Sequence, residues 1–240
     1  MKLTKKLLCS FIAGATLFAF TGCDDSVAPG NSGAPGSTPS SPSGGEAPPP
    51  GIVEYPAFNG VLKGAAGNVG NLSDGAMAIR AGDTFAVIRV EDFGDIVIAL
   101  FPDTTPLAVN NFIAVAESGY YEGKIFHRII HDFMIQGGSP NGDGMGSAPG
   151  FPEYATEYSP AALHLRGAIS TANRGGATNG SQFFIVTKQN TDWLDGIHTV
   201  FGHMVEGFDV LDAIEGVAKG PGDKPVIDVV IESVTIHTYA

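Results

Sequence analysis

Regular patterning of apolar and polar positions begins at Thr84. Two runs, Phe85 to Glu91 and Asp95 to Phe101, are rich in β-branched and aromatic residues and flank Asp92-Phe93-Gly94, which predicts a β-hairpin. Pro102-Asp103-Thr104-Thr105-Pro106 then supplies turn and N-cap residues, and Val109, Phe112, Ile113 and Ala116 recur at helical spacing until Gly119. This is the pattern of an amphipathic helix. Short strands between glycine-rich loops are predicted over Ile125 to Ile129, Phe133 to Gln136, Gly167 to Ser170 and Phe183 to Thr187. A second helix is predicted from Phe208 to Glu215, burying Phe208, Leu211 and Ile214, and the closing run Val226 to Thr238 reads as strand. Many short strands with only two helices argue for a mainly β fold, an antiparallel barrel or sandwich, and closure into a barrel would remove exposed strand edges.

Upstream of Thr84 the pattern is lost in stages. Ile52, Tyr55, Phe58, Val61, Leu62 and Ile79 are too many apolar groups for a linker and too sparse for a period, so residues 51–82 form an unassigned N-terminal extension. From Asp24 to Pro50 the 27 residues include 7 Pro, 5 Gly and 6 Ser, with Val27 the one large apolar side chain. Such a segment cannot pack a core and reads as a disordered tether over residues 23–50, spanning roughly 30 Å as a coil and about 80 Å if the prolines keep it extended. At the start, Lys2, Lys5 and Lys6 precede an apolar run from Leu7 to Phe20, which reads as a signal peptide over residues 1–22. That run is shorter than the roughly 20 residues a helix needs to cross a bilayer.

The run closes in Ala19-Phe20-Thr21-Gly22-Cys23, which resembles the lipobox of bacterial lipoproteins, with Phe20 where that motif most often has Leu. The resemblance implies cleavage before Cys23, lipidation of its thiol, and a protein anchored in the bacterial cell envelope on the periplasmic side. Each buried methylene of an acyl chain contributes about 0.8 kcal/mol, so several chains anchor firmly. Asp24 resembles an inner-membrane retention signal; that rule differs among bacteria, and both membranes stay open. The second cysteine, Cys9, lies within the signal, so the mature chain has no internal disulfide and its stability must come from its core. With three lysines removed, the formal charge moves from -12 to -15, which argues against nucleic acid as a partner.

Four blocks carry the candidate chemistry: Phe126-His127-Arg128-Ile129-Ile130, Phe133-Met134-Ile135-Gln136-Gly137-Gly138, Asn179-Gly180-Ser181-Gln182-Phe183-Phe184 and Trp193-Leu194-Asp195-Gly196-Ile197-His198. They combine one cation, amide donors and several aromatics, which suits binding an apolar ring and polarising the amide beside it. Taken together, and in this order, they resemble the cyclophilins. Over about residues 83–240 the resemblance implies a closed, roughly eight-stranded antiparallel β-barrel capped by two helices, with its groove on the outer wall. It also implies peptidyl-prolyl cis-trans isomerase activity, proline-containing polypeptides as substrates, cyclosporin A as a ligand, and no cofactor.

An imide bond to proline rotates against a barrier of about 18 to 20 kcal/mol without any covalent bond breaking. Catalysis needs a site that holds the ring and favours the twisted state, in which the nitrogen recovers its lone pair. A permanently charged guanidinium is suited to that state, and Arg128 is the candidate catalytic residue. By resemblance, Phe133, Met134, Phe184 and Leu194 line the proline pocket, Gln136 holds substrate backbone and Arg128, and the main chain of Asn173 pairs with the substrate. His198 lies at the pocket mouth, Trp193 carries the indole linked to cyclosporin, and Gly144, Ala172 and Gln182 border the neighbouring groove.

Other chemistries fit less well. His127 and His131 have the spacing of a zinc-protease helix, but Arg128 stands where the glutamate is needed, and a strand would part them by about 13 Å, which argues against a metal site. Gly142 to Gly146 lacks the context of a nucleotide loop, and no Ser, His and Asp group sits in a recognisable nucleophile motif. The chain departs from common cyclophilins at Thr171, at Arg174 and around Ser147 to Ser159, where substrate preference and cyclosporin affinity are expected to differ. The alternatives are a proline-directed binding or chaperone module without turnover, and a lipoprotein that scaffolds a partner through residues 51–82.

Overall fold

The computed structural model describes residues 82–173 and 178–239. The signal, Cys23, the tether, nearly all of the 51–82 extension, and Arg174 lie outside the described residues. The hairpin forms from β1 (Thr84–Val90) and β2 (Gly94–Leu100), followed by α1 (Pro106–Glu117). Next come β3 (Arg128–Ile130), β4 (Met134–Gly137), β5 (Tyr154–Ala155), β6 (Ala168–Thr171), β7 (Thr178–Asn179) and β8 (Phe183–Val186). The chain ends with β9 (Val200–Glu206), α2 (Phe208–Glu215) and β10 (Ile231–Thr238). Eight strands make one antiparallel sheet in the order β10-β1-β2-β9-β6-β8-β4-β3, and β5 pairs with β7 apart from it.

Alternation assigns the two faces of the sheet. In β1 and β2, Ala86, Ile88, Val90, Ile96, Ile98 and Leu100 enter the main core, while Phe85, Val87, Val97 and Ala99 form a smaller cluster on the other side. Both helices close over the main core, α1 through Val109, Phe112 and Val115 and α2 through Val210, Leu211 and Ile214. Each such side chain, fully buried, contributes about 1.5 to 3 kcal/mol. Phe208, expected on the buried side of α2, packs against the main core while partly buried and also faces the Arg166 guanidinium, 5.6 Å from its ring centroid.

The sheet is an open half-barrel, which corrects the expected closed barrel. The edge strands β3 and β10 share no ladder among the described residues. One isolated bridge, Ile125 to Val230, joins the segments beside them, supported by main-chain hydrogen bonds from Gly123 to Ile231, Phe126 to Val229 and Ile231 to Lys124. Beyond that bridge the three-residue β3 has the turn Pro221–Asp223 beside it, with the Asp223 carboxylate 3.6 Å from the Arg128 side chain.

The Ser147 to Ser159 loop, which matches the family pattern poorly, supports α1. Thr105 precedes the helix but makes no side-chain cap; its hydroxyl donates to the Val200 carbonyl at 3.3 Å. Glu157 supplies the cap from a distance, accepting the amides of Leu107 and Ala108 at 3.1 and 2.8 Å, and its negative charge suits the positive end of the helix. Glu157→Ala is therefore expected to remove about 1 to 2 kcal/mol of stability in thermal unfolding, with Glu157→Gln losing less because it keeps one acceptor.

Candidate active site

Cross-strand register builds the site. Arg128 of β3 pairs with Gln136 of β4, Gln136 with Phe184 of β8, and Phe184 with Ser170 of β6, so these four share one face of the sheet. The adjoining row, Ile129, Ile135, Ile185 and Ile169, points the opposite way and is fully buried in the main core. A step of one residue along each strand thus separates scaffold from site. On the outer face, Met134, Phe184, Val186, Ala168 and Val200 form an apolar floor, with Phe133, Ala172 and Leu194 packed against it.

Nine of the twelve groove residues expected from the sequence line one shallow pocket of about 160 Å³: Arg128, Phe133, Met134, Gln136 and Ala172, with Asn173, Phe184, Leu194 and His198 completing it. Gly144 and Gln182 line an adjoining cavity of about 400 Å³ that shares Arg128, Gln136, Ala172 and Asn173. Trp193 stands at the rim, 53% exposed, its ring tilted 32° against Phe133 at 6.1 Å.

The polar groups are held from behind. Gln136 does not bond Arg128, as expected of it; its carboxamide donates to Gln182 Oε1 at 3.2 Å. Gln182 donates in turn to the carbonyls of Gly144 and Gly146 at 3.2 and 2.8 Å, so the glycine loop is tied to the pocket. Gly138, just past β4, has φ +80, and a Cβ there would lie 2.5 Å from the Ser181 carbonyl oxygen, so only glycine brings the two segments this close. Asn173 donates to Asn179 Oδ1 at 3.0 Å. Thr171, next to Ala172, is buried, and its hydroxyl donates to the same Asn179 oxygen at 2.8 Å.

Electrostatically the pocket has one permanent charge among its described lining residues. Arg128 keeps its side chain 43% exposed and meets Asp223 at 3.6 Å, a solvent-screened contact worth well under about 1 kcal/mol. His198 places Nδ1 3.0 Å from the Thr171 carbonyl, which can only accept, so Nδ1 carries the hydrogen. Burial pushes its pKa below the ordinary histidine value, partly opposed by that carbonyl, so it is neutral at pH 7. Its ring meets the face of Phe184 edge-on at 5.6 Å. A cation beside an apolar wall and donors that are already fixed can stabilise charge on a twisting amide nitrogen without reorganising.

Sequence reasoning missed His164, Ser170 and Asp195. His164 stacks flat on Phe184, 5.9 Å between centroids and 12° between planes, with Asp195 and Ser170 on its two nitrogens. Asp195 was visible inside the Trp193 to His198 block; His164 sits in an irregular segment with no periodicity to mark it.

Comparison with known proteins gives the family. The family model for cyclophilin type peptidyl-prolyl cis-trans isomerase matches residues 85–236. The chain belongs to the cyclophilins. It is accordingly a peptidyl-prolyl cis-trans isomerase. A putative peptidyl-prolyl cis-trans isomerase of Staphylococcus saprophyticus is 39% identical over 183 residues, covering 65% of this chain and 93% of the relative. A putative bifunctional phosphatase/peptidyl-prolyl cis-trans isomerase of Streptococcus pyogenes is 44% identical, but the match takes in 37% of that protein and 60% of this one. Among solved structures, a Cryptosporidium parvum cyclophilin superposes with a TM-score of 0.62 at 34% identity, covering 66% of this chain and 99% of that one. A second structure of that cyclophilin, in the presence of the dipeptide Ala-Pro, gives a TM-score of 0.60 over 64% of this chain and 99% of that one.

Proposed function

We propose that this cyclophilin works at the bacterial cell envelope, anchored by lipid on Cys23, and turns Xaa-Pro bonds of exported polypeptides through Arg128. The observation that carries the catalytic part is the register row Arg128, Gln136 and Phe184 bordering a ring-sized hollow with an apolar floor. The substrate's proline ring enters between Phe133, Met134, Phe184 and Leu194. Arg128 faces the imide and favours the state in which the nitrogen is no longer conjugated, while Gln136 and the Asn173 main chain hold the flanking peptide. His198 is neutral and closes the mouth. The same groove binds cyclosporin A, with Trp193 at its edge. This is the chain's single tryptophan, so its fluorescence reports titration with the drug or with a proline peptide.

The envelope assignment is supported by the charged start, the apolar run and Ala19-Phe20-Thr21-Gly22-Cys23. Its test is the intact mass of protein extracted from membranes of cells expressing the full gene. A chain beginning at Cys23 and heavier by its acyl groups is expected, with Cys23→Ala moving the protein to the soluble fraction. An unmodified mature chain would overturn the anchor and leave the isomerase reading intact.

A further inference from the structure

His164 joins both sides of the pocket and contacts no solvent, being 1% exposed. Its Nδ1 lies 2.6 Å from Asp195 Oδ1, and the same oxygen accepts the His164 main-chain amide at 3.0 Å. Its carbonyl accepts the amide and the hydroxyl of Thr191 at 2.9 and 3.1 Å. His164 is therefore bonded to the first and last residues of the segment Thr191 to Asp195, which carries Trp193 and the pocket residue Leu194. Its other nitrogen, Nε2, is 2.9 Å from Ser170 Oγ, and its ring lies flat on Phe184, the opposite wall.

A carboxylate only accepts, so Nδ1 carries the hydrogen and the ring cannot turn over without breaking the pair. Ser170 Oγ also lies 2.9 Å from the Thr199 carbonyl, which closes the far side of the ring against the sheet. The order Ser, His, Asp is that of a hydrolase triad, but Ser170 is fully buried and no substrate atom can reach it. What remains is a rigid plate between two walls of the proline pocket.

We propose that His164 and Asp195 are a positioning pair for the isomerase, fixing the separation of the Phe184 wall from the Leu194 rim and so the fit of the pocket to the proline ring while its imide bond is twisted. The proposal rests on the pocket beside Arg128 being the isomerase site. Misplacing a substrate-holding group by about 1 Å can cost up to a hundredfold in rate. Asp195→Ala frees the plate and leaves Arg128, Gln136 and Phe184 in place. It is expected to lower kcat/KM for an Xaa-Pro peptide by about tenfold or more. Asp195→Asn keeps an oxygen for both His164 donors and is expected to stay within about threefold of wild type.

Aromatic NMR of Phe184 separates positioning from general damage. The ring resonances are expected to shift and to average faster in Asp195→Ala and to match wild type in Asp195→Asn. His164→Asn, which retains a donor for Asp195 but has no ring to lay on Phe184, is expected to lose activity with the same Phe184 signature, and it serves if Asp195→Ala does not fold. The pair is not a positioning device if either folded variant keeps wild-type kcat/KM, or if activity falls only in proportion to the unfolded fraction with Phe184 unchanged. Wild type and Arg128→Ala are assayed beside them. An inactive wild type, or one insensitive to Arg128→Ala, counts against the site itself, whereas an Arg128-dependent enzyme indifferent to Asp195→Ala counts against this pair alone.

Discussion

Arg128→Ala is expected to lower kcat/KM in a protease-coupled Xaa-Pro assay by about a hundred- to a thousandfold, equivalent to roughly 3 to 4 kcal/mol of transition-state stabilisation. The magnitude follows from position. The guanidinium is the one permanent charge among the described residues lining the pocket, and a proline ring seated against Phe133, Phe184 and Leu194 would displace the water that screens it in the free protein. The effect belongs in kcat, since the apolar walls that hold the ring are untouched, and Trp193 fluorescence should report a peptide affinity within a few-fold of wild type. Arg128→Lys keeps the charge and loses the planar fork, and is expected to fall between the two. Stability should hardly change, because the side chain is 43% exposed and its ion pair with Asp223 is long. An Arg128→Ala enzyme that turns over at the wild-type rate would remove the catalytic assignment. Tight peptide binding by the wild type with no acceleration over the spontaneous rate would favour a binding module.

Acid is expected to unfold the domain early. His127, His164, His198 and His203 all titrate below the ordinary histidine value of about 6.5, in each case because burial penalises the charged ring before any other influence. Both ring nitrogens of His127 and Nε2 of His203 are buried without a hydrogen-bond partner among the described residues. The unfolded chain therefore binds more protons than the native one below pH 6.5, and stability falls as pH falls. The contribution is complete above the unfolded value and is lost as the pH drops toward the folded ones. A histidine that stays neutral in the native state adds up to about 1.4 kcal/mol per pH unit once the unfolded chain is protonated there, so the fall is expected to steepen below pH 6.5. Asp95, held down by Arg89, adds its share only near and below pH 4. Urea midpoints at pH 7.5, 6.5 and 5.5 measure the trend. A flat profile would mean that these rings are protonated in the native state, and His127→Gln should make the fall shallower.

What the sequence disclosed depended on how far each signal acts along the chain. The β1 and β2 hairpin, α1 and α2 were legible because their contacts with the core repeat within a few residues, with boundaries off by one or two positions. Strand β9 was not, since Gly202 and His203 interrupt its apolar run. The glycine is there because a Cβ would come 2.6 Å from the Ala99 carbonyl oxygen on β2. The pairing of β5 with β7 joins two residues to two others more than twenty positions away, too little to leave a pattern. Glu157 acts on α1 across 50 residues, and His164 on Asp195 across 31. The groove residues were found only as motifs. That Arg128, Gln136 and Phe184 stand in one row follows from register, which no single block contains.

The missing ladder between β3 and β10 bears on how the enzyme handles its substrate. A polypeptide turning from one isomer to the other sweeps a changing outline, and a groove walled on every side by continuous sheet would resist one of the two shapes. Here the strip that bears the guanidinium is zipped to its neighbours on one flank and merely stitched on the other, through Ile125 and Val230. The isoleucine row behind that hem is fully buried, so any give in the sheet is expected at this margin, where amides of Arg128 to Ile130 should exchange faster than those of Ile169 and Ile185.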